Sequence, residues 1–361
     1  MYLYISKIFQ AIHSFCCVLI GYCLSCVKPI AEDIYLIGSN YGAIIDPNAP
    51  SLINYMLEKG NRVFYVEGDG LFTQNGLLKV KRGSVLAAYY FFSSKACFYT
   101  HSLSDVIPGL HQFSWLRNTL IFPKLIFLQH GVIGLKSQLS NGVSFQSYIK
   151  SLEKSFDKMI VSSEREQRIV EQLGIDSNKI AITGLPRYDE YVKFSDKVLS
   201  DVMIFFSWQS TDSLNAKISD IEKSGILSLL KSNGFKLNYF FHDMQSNANI
   251  KKPTDFRVFQ KQILNSSLLI TDDSSLAWDM LYLGREVIFY KPSMDWFVVD
   301  DFLDQRKCFD RCQLRQRVEI VIGNGANEVE QYRFTKFRDN SNCARVFQLI
   351  NEVENEDTKT L

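Results

Sequence analysis

Residues 266–290, SSLLITDDSSLAWDMLYLGREVIFY, constrain the fold more than any other part of the chain. The apolar run at 268–270 has the character of a strand, and the polar cluster that follows is where such a strand ends. Ser274 or Ser275 can cap a helix there, and its apolar residues recur at helical spacing until Gly284 ends it. A second apolar strand comes directly afterwards. The segment therefore predicts a β-loop-α-β unit.

The loop of this unit carries residues that suit a phosphate group. In parallel sheets ligands bind beyond the carboxyl ends of the strands, and a helix N-terminus presents unpaired N–H groups to an anion. The hydroxyl groups of Ser274 and Ser275 lie at that point of the sequence. Serine and aspartate are also ordinary capping and turn residues, so this segment alone favours capping over phosphate binding.

Two other segments repeat the arrangement of a strand followed by polar or small residues. In LIFLQHGVIGLK, His130 follows the strand, and Gly131 and Gly134 allow the backbone to approach a ligand closely. In TGLPRYD, which follows a short apolar strand, the notable residue is Arg187. The three segments together favour a ligand site over three unrelated turns.

The three segments resemble the motifs of the CDP-glycerol glycerophosphotransferase family, which comprises the teichoic-acid primases and polymerases of bacterial cell envelopes. The family patterns are HG-T-x-x-K, G-x-PR-x-D and T-D-Y-S-S followed by a helix with an Asp. They occur here as His130-Gly131-Val132 with Lys136, as GLPRYD, and as TDDSS with Asp279. Their order and spacing match over residues 34–296, and three motifs in order are far more specific than one.

Strand and helix predictions alternate along the rest of the chain, including a helix over residues 77–92 and a polar linker over residues 188–199. The predicted fold class is α/β, with two Rossmann-like domains of glycosyltransferase-B type and a cleft between them, and the resemblance implies the same architecture. The expected units are an apolar N-terminal segment (1–30), an acceptor domain (31–195), a nucleotide donor domain (196–335), and a C-terminal helix with a polar tail (336–361).

The N-terminal segment contains the apolar run FCCVLIGYCLSCV, which is too short for a comfortable membrane span of about 20 residues. His13 and Lys28 flank this run. Two readings remain open: an amphipathic helix that contacts a membrane surface, and an ordinary helix buried against the first domain.

Composition limits the remaining classes. A chain of 361 residues with 46% hydrophobic residues can bury two cores, and a net charge of +1 gives no broad basic field for nucleic acid. The 8 cysteines lack zinc-site spacing, so we expect reduced, mostly buried thiols. These features predict a cytoplasmic protein, peripheral on the inner face of the cell membrane.

The resemblance implies a transferase that moves glycerol phosphate, or a related polyol phosphate, from a CDP-activated donor to a hydroxyl of a lipid-linked acceptor in teichoic acid or capsular polysaccharide synthesis. CMP would be released. His130 takes the role of catalytic base, which suits an imidazole at a strand end. The residues expected to bind the donor are Gly131, Gly134, Arg187, Ser207, His242, Ser274, Ser275 and Asp279.

This sequence departs from the family pattern at three positions. Val132 replaces a threonine, Asp273 replaces the aromatic residue of T-D-Y-S-S, and Gln209 stands where an arginine is expected. One cationic phosphate contact is lost and an acid is gained, so CDP-ribitol or another activated donor remains open. No metal site and no cofactor are predicted, because arginine, histidine and helix-terminal N–H groups can neutralise phosphates instead.

Two alternative functions use the same fold. One is a nucleotide-sugar glycosyltransferase in envelope polysaccharide synthesis, and the other is a protein that binds a lipid-linked glycan without turnover. No motif surrounds His101 or His111, so a structural or exposed role is predicted for both of these histidines.

Overall fold

The computed structural model describes residues 2–42, 46–68, 72–109, 119–135, 144–194, 201–207, 209–241, 256–292, 295–298, 300–324 and 334–358. Its strands form two parallel sheets, one of seven and one of five strands. α-Helices lie between most pairs of successive strands, but none is described between β2 and β3 or between β4 and β5. The predicted α/β class is confirmed.

The first sheet has the order β3-β2-β1-β4-β5-β6-β7, and the second has the order β12-β11-β10-β8-β9. The strands of the first sheet are β1 Ile34–Gly38, β2 Arg62–Glu67, β3 Leu78–Lys81, β4 Ala96–Tyr99, β5 Lys124–Phe127, β6 Lys158–Val161 and β7 Ile180–Ile182. Those of the second sheet are β8 Asp201–Phe206, β9 Lys236–Phe241, β10 Ser266–Thr271, β11 Glu286–Tyr290 and β12 Lys307–Cys308.

The helices lie between these strands and at both ends of the chain. They are α1 Tyr2–Val27, α2 Asn48–Glu58, α3 Val85–Ser93, α4 Phe145–Leu152, α5 Glu164–Gln172, α6 Tyr188–Tyr191, α7 Thr211–Lys223, α8 Ile226–Ser232, α9 Phe256–Asn265, α10 Leu276–Tyr282, α11 Asp301–Asp304, α12 Arg311–Asn324 and α13 Asn342–Thr358.

The unit predicted from residues 266–290 forms as β10, α10 and β11. β10 and β11 pair in parallel, from Leu268 opposite Glu286 to Thr271 opposite Phe289. All seven residues of α10 are buried, and so are all five residues of β11, which is an inner strand of the second sheet.

The helix predicted over residues 77–92 is wrong in its first half. Residues Leu78–Lys81 form β3 at the edge of the first sheet, where only Val80 is buried. The turn after β3 contains Gly83 at φ 75°, and the Ser84 side chain caps α3 by accepting a hydrogen bond from the Ala87 N–H. The alternation of Lys and apolar residues was therefore a strand signal.

The polar linker predicted over residues 188–199 is also wrong at its start. Tyr188 and Tyr191 of α6 are fully buried, and the Tyr188 ring stacks on Tyr282 with ring centroids 3.9 Å apart. Burying two tyrosine rings outweighs the polar residues between them. Residues 195–200 lie outside the described part of the chain.

α1 and α13 both pack against elements that surround the first sheet. α1 lies against α3 at Gly21, where a Cβ atom would come within 2.5 Å of the Ala88 Cβ. At the other end, the Phe347 ring of α13 contacts the rings of Tyr35 and Tyr55. The hydrophobic core around the first sheet is therefore completed by α13, which comes after all strands of the second sheet in the sequence.

None of the helices within the described residues combines the length and the apolar character needed to cross a bilayer. The cysteines are free thiols. Four are buried, and Cys16, Cys23, Cys26 and Cys312 are exposed, so the prediction of mostly buried thiols is wrong for half of them. Three of the four exposed thiols lie on α1, on the face directed away from α3.

Candidate functional site

The carboxyl ends of β1, β4 and β5 lie side by side in the first sheet, and they carry Ser39, Thr100 and Gln129. The hydroxyl groups of Ser39 and Thr100 are 3.0 Å apart. His101 follows Thr100, and His130 follows Gln129. Parallel strand order thus brings two histidines, 29 positions apart in the sequence, to one edge of the sheet.

The two imidazole rings stack on each other. The ring centroids of His101 and His130 are 4.5 Å apart and the ring planes differ by 8°. His101 Nδ1 lies 2.9 Å from the Thr100 hydroxyl, and the His101 backbone N–H donates to Asp105 at 2.8 Å. His130 is exposed and His101 partly buried. The sequence predicts a structural or exposed role for His101, and the structure places its ring against His130.

The backbone that carries His130 is held in an uncommon conformation. Gln129 has a backbone φ angle of 46°, a value that residues other than glycine rarely adopt. Asn48 Nδ2 donates to the Gln129 carbonyl at 2.9 Å, and Arg187 Nη1 donates to the His130 carbonyl at 3.1 Å. Side chains from two other parts of the chain therefore fix the direction in which His130 leaves the sheet.

The loop after His130 is anchored by a buried carboxylate on α5. Glu166 Oε1 accepts hydrogen bonds from Gln129 Nε2 at 3.0 Å and from the Ile133 N–H at 2.7 Å, and Oε2 accepts from the Ser162 N–H at 2.6 Å. Burial raises the pKa of Glu166, and these hydrogen bonds oppose the rise. Glu166 thus links the loop after β5 to the end of β6.

The His130-Gly131 loop touches the N-terminal end of α10 across the cleft between the two sheets. A Cβ atom at Gly131 would lie 2.4 Å from Ser275 Oγ, and one at Gly134 would lie 2.8 Å from the Trp278 ring. Only glycine allows such close packing at these two positions. The predicted positions Gly131, Gly134 and Ser275 are therefore brought together.

A cavity of about 90 Å³ lies at this contact and opens beside His130. One wall consists of the His130–Leu135 loop, and the opposite wall includes Asp273 and Ser275. The Asp273 carboxylate accepts a hydrogen bond from Trp296 Nε1 at 2.7 Å. The cavity thus combines an imidazole, a hydroxyl and a carboxylate. Its apolar side is formed by Phe127, Phe145, Tyr148 and Ile149.

Ser274 and Ser207 lie near the cavity without lining it. Ser274 Oγ accepts a hydrogen bond from the Leu276 N–H at 3.2 Å, which is the capping role that its position predicts. The Ser207 N–H donates to Asp272 Oδ1 at 2.8 Å, and Asp272 Oδ2 accepts from Lys217 Nζ at 2.7 Å. Asp272 thus links the carboxyl ends of β8 and β10 through the Ser207 N–H, and its ion pair with Lys217 adds a link to α7.

Arg187 and Asp279 form an ion pair between the two halves of the chain. Arg187 Nε donates to Asp279 Oδ1 at 2.7 Å, and the two residues are 1% and 6% exposed. Burial lowers the pKa of Arg187, but the carboxylates of Asp279 and Asp46 outweigh it, so the net shift is upward. The predicted contacts of Arg187 with phosphate and of Asp279 with glycerol remain predictions, because each side chain here satisfies the other.

Several predicted positions lie outside the described residues. These are His242, His111 and Lys136. Within the described ranges, no group of three or more His, Cys, Asp or Glu side chains is arranged to hold a metal ion.

The residues that sequence reasoning missed are those whose role depends on contacts between distant segments. They are His101, Gln129 and Glu166. One local signal was present for Glu166. Ser163 precedes the first turn of α5, which contains Glu164 and Glu166, and its side chain caps the helix by accepting the Glu166 N–H. Glu166 therefore begins the helix close to the strand ends.

The sequence profile of the CDP-glycerol:poly(glycerophosphate) glycerophosphotransferase family matches residues 21–203. Minor teichoic acid biosynthesis protein GgaB of Bacillus subtilis is 23% identical over 365 residues, covering 86% of this chain and 39% of GgaB. The teichoic acid glycerol-phosphate primase of the same organism is 23% identical over 224 residues, covering 56% of this chain and 58% of the primase. The chain thus spans less than two thirds of either relative.

Solved structures show the same fold. A variant of the wall teichoic acid polymerase TagF soaked with CDPG superimposes with a TM-score of 0.67 at 15% identity, covering 98% of this chain and 95% of the other. A putative UDP-N-acetylglucosamine 2-epimerase from Listeria monocytogenes gives a TM-score of 0.56 at 11% identity, covering 91% and 98%. These likenesses confirm the predicted glycosyltransferase-B type of fold.

Proposed function

The chain belongs to the CDP-glycerol:poly(glycerophosphate) glycerophosphotransferase family, and we propose that it transfers glycerol phosphate, or a related polyol phosphate, from a CDP-activated donor to a hydroxyl of a lipid-linked acceptor. CMP leaves in the reaction. The product belongs to teichoic acid or capsular polysaccharide. The observation that carries the proposal is the contact of the His130-Gly131 loop with Ser275 beside one cavity.

The proposed reaction is a phosphoryl transfer with His130 as general base. As the acceptor oxygen attacks the β-phosphorus of the donor, an imidazole nitrogen takes the hydroxyl proton. A new P–O bond forms, and the bond from the β-phosphorus to the bridging oxygen breaks with its electron pair leaving on CMP. The exposure of His130 leaves its ring accessible to an acceptor hydroxyl.

Binding of the donor phosphates is proposed for the other side of the cavity. Ser275 contributes a hydroxyl, and Gly131 and Gly134 let backbone approach the phosphate closely. Ser207 and Ser274, with His242, complete the donor contacts in this proposal. A direct contact of Arg187 with phosphate requires its ion pair with Asp279 to open, so we assign both residues first to positioning the His130 carbonyl.

Membrane contact is proposed for the exposed face of α1. Ile12, Ile20, Leu24 and Val27 are each more than two-fifths exposed, and they recur at helical spacing. An apolar stripe of this kind suits the interface of a bilayer, where the lipid-linked acceptor lies. Co-sedimentation with anionic lipid vesicles tests it: a variant with Ile20→Gln and Leu24→Gln should lose binding, whereas unchanged binding would refute a role of α1.

The donor assay decides the function. Purified protein is given CDP-glycerol, CDP-ribitol and a panel of UDP-sugars with a lipid-linked acceptor, and CMP or UDP release is measured for the unchanged protein, His130→Ala and Lys231→Ala. Lys231 is an exposed residue of α8, in the second half of the chain, and serves as the control. We expect CMP release from a CDP-polyol that only His130→Ala abolishes. UDP release from a sugar nucleotide would favour the glycosyltransferase alternative.

No metal requirement is proposed, because the phosphate charge can be met by imidazole, hydroxyl and backbone N–H groups. The same assay in a chelator checks this point. Activity that disappears with the chelator and returns with magnesium would contradict it.

A further inference from the structure

Tyr41 projects from the turn after β1 and is 56% exposed. Asn40 and Tyr41 have φ 42° and 57°. For residues other than glycine the left-handed conformation costs about 1–2 kcal/mol each, and Asn accepts it more readily than an aromatic residue. An exposed ring carried on two consecutive strained residues is unusual for a surface turn that only connects elements.

The turn is fixed on both sides. The Tyr41 N–H donates to Asp105 Oδ1 at 3.0 Å, and the Gly68 N–H donates to the Gly42 carbonyl at 3.1 Å. Asp105 also accepts the N–H of His101 through its other oxygen. One buried carboxylate therefore connects the backbone of Tyr41 to the residue that stacks on His130.

The Arg82 side chain supports one side of the Tyr41 ring. Its guanidinium carbon lies 5.2 Å from the ring centroid, and its Nε donates to the Ser104 carbonyl at 2.9 Å. A guanidinium in this position attracts the electron-rich face of the ring and limits its movement. Tyr41 is thus presented as a supported aromatic plate with more than half of its surface accessible.

Tyr41 and the proposed catalytic base, His130, lie along the same edge of the first sheet. β1 is separated from β5 by β4, so Tyr41 and His130 follow strands that are two spacings, or about 10 Å, apart. Tyr148 lines the cavity at His130, and burial raises its pKa to about 12, with smaller contributions from Tyr41 and Asp105. The spacing of about 10 Å between the ends of β1 and β5 is about the length of one or two sugar rings.

We propose that Tyr41, supported by Arg82, is a subsite for a sugar ring of the acceptor. The face of a pyranose ring that bears C–H groups is apolar and packs on an aromatic plate, whereas a glycerol phosphate unit has no such face. Stacking there directs the acceptor hydroxyl toward His130. This inference rests on the proposed function for its reaction, but the subsite binds its ligand without turnover.

The test measures binding of two soluble probes by saturation-transfer NMR. One is the methyl glycoside of an N-acetylhexosamine disaccharide, and the other is a glycerol phosphate trimer without rings. The variants are Tyr41→Phe, which keeps the ring, and Tyr41→Asn, which removes it while suiting the left-handed backbone. Phe309→Ala removes an exposed ring from the second half of the chain and is the control. Unchanged melting temperatures establish that each variant is folded.

We expect the disaccharide to bind the unchanged protein, Tyr41→Phe and Phe309→Ala, and Tyr41→Asn to weaken it about tenfold. In the transfer assay the same variant should raise KM for the acceptor about tenfold and leave KM for the donor unchanged. Equal disaccharide binding by Tyr41→Asn, binding of the ringless trimer only, or binding of neither probe would overturn the subsite. Failure of donor turnover with normal disaccharide binding would instead refute the proposed function and leave the subsite standing.

Discussion

The His101 and His130 rings lie parallel, with centroids 4.5 Å apart, and they come from neighbouring strands of the first sheet. The Thr100 hydroxyl contacts the ring of His101, and Asp105 accepts a hydrogen bond from the His101 backbone N–H. A ring that is stacked on a fixed neighbour has fewer orientations available than one exposed to solvent on both faces. His101 is therefore placed to limit the movement of the proposed base.

Replacing His101 with Gln is expected to reduce kcat about tenfold and to leave KM for the donor unchanged, because orientation of the base contributes in the transition state. Steady-state kinetics with a CDP-polyol donor measures both constants. Lys231→Gln is the control, since it changes an exposed residue of α8 in the second half of the chain. A kcat equal to that of the unchanged protein would show that the stack does not orient His130.

Removing one partner of the Arg187–Asp279 pair should destabilise the fold strongly. Asp279→Asn leaves a buried guanidinium without its carboxylate, and such changes cost about 3–5 kcal/mol. Urea unfolding gives the free energy of unfolding. Glu32→Gln breaks the exposed pair between Arg62 and Glu32 and should cost at most about 1 kcal/mol. Equal losses in the two variants would mean that the buried pair is not a structural link.

A side chain at Gly131 should separate the two halves at the proposed site. The Cβ atom of Ala would meet Ser275 Oγ at 2.4 Å and Ser275 Cβ at 2.8 Å, so the loop or α10 must move. We expect Gly131→Ala to lower kcat at least about a hundredfold, since a displacement near 1 Å is enough for such a loss. Gly323→Ala is the control, because no atom lies within 4 Å of the added Cβ. Normal activity of Gly131→Ala would exclude a tight contact during turnover.

The buried carboxyl group of Asp46 gives the stability a pH dependence. Burial raises the pKa of Asp46 from 3.8 to about 7, and neighbouring Arg187 opposes the rise. Between about pH 4 and pH 7 the folded protein keeps a proton that the unfolded chain releases, so stability falls as pH rises through this range. Above pH 7 the Asp46 carboxylate is charged in the folded protein, and the free energy of unfolding is lower by the full cost of burying that charge, up to about 4 kcal/mol.

Asn at this position cannot ionise and should avoid that cost. Asp46→Asn is therefore expected to be more stable than the unchanged protein at pH 8 and about equally stable at pH 4, as measured by urea unfolding at both values. Asp301→Asn, at an exposed carboxylate, controls for the loss of charge. A variant that is less stable at pH 8 would indicate that the Asp46 carboxylate is needed in its charged form.

The elements around the site were predictable wherever one local pattern decides the structure. The β10-α10-β11 unit has a strand-like apolar run, capping serines and a terminal glycine in sequence, and it forms within a few residues of the prediction. The prediction failed for β3, where four alternating residues precede a helix and were assigned to it. It failed for α6, where the packing of Tyr188 on Tyr282 decides the structure.

The site was predictable in its motif positions but not in its contacts. The apolar run before His130 predicts that this residue lies at the end of a strand. No local pattern predicts that Glu166, 36 residues later, accepts a hydrogen bond from the Ile133 N–H of the same loop. Likewise, Arg187 and Asp279 were assigned separately to a ligand, because their pairing depends on how the two sheets approach each other. Contacts of this kind are set by tertiary packing.

The position of α13 affects how the protein can be made. Its residues Val346, Leu349 and Ile350 complete the same core as the earliest strands, and Asp189 accepts the N–H groups of Asn342 and Cys343 at its start. During synthesis the first sheet emerges from the ribosome long before this helix, so the growing chain exposes an unfinished apolar surface until residues 342–358 appear. A stop codon before residue 342 would therefore impair the domain that contains the first sheet.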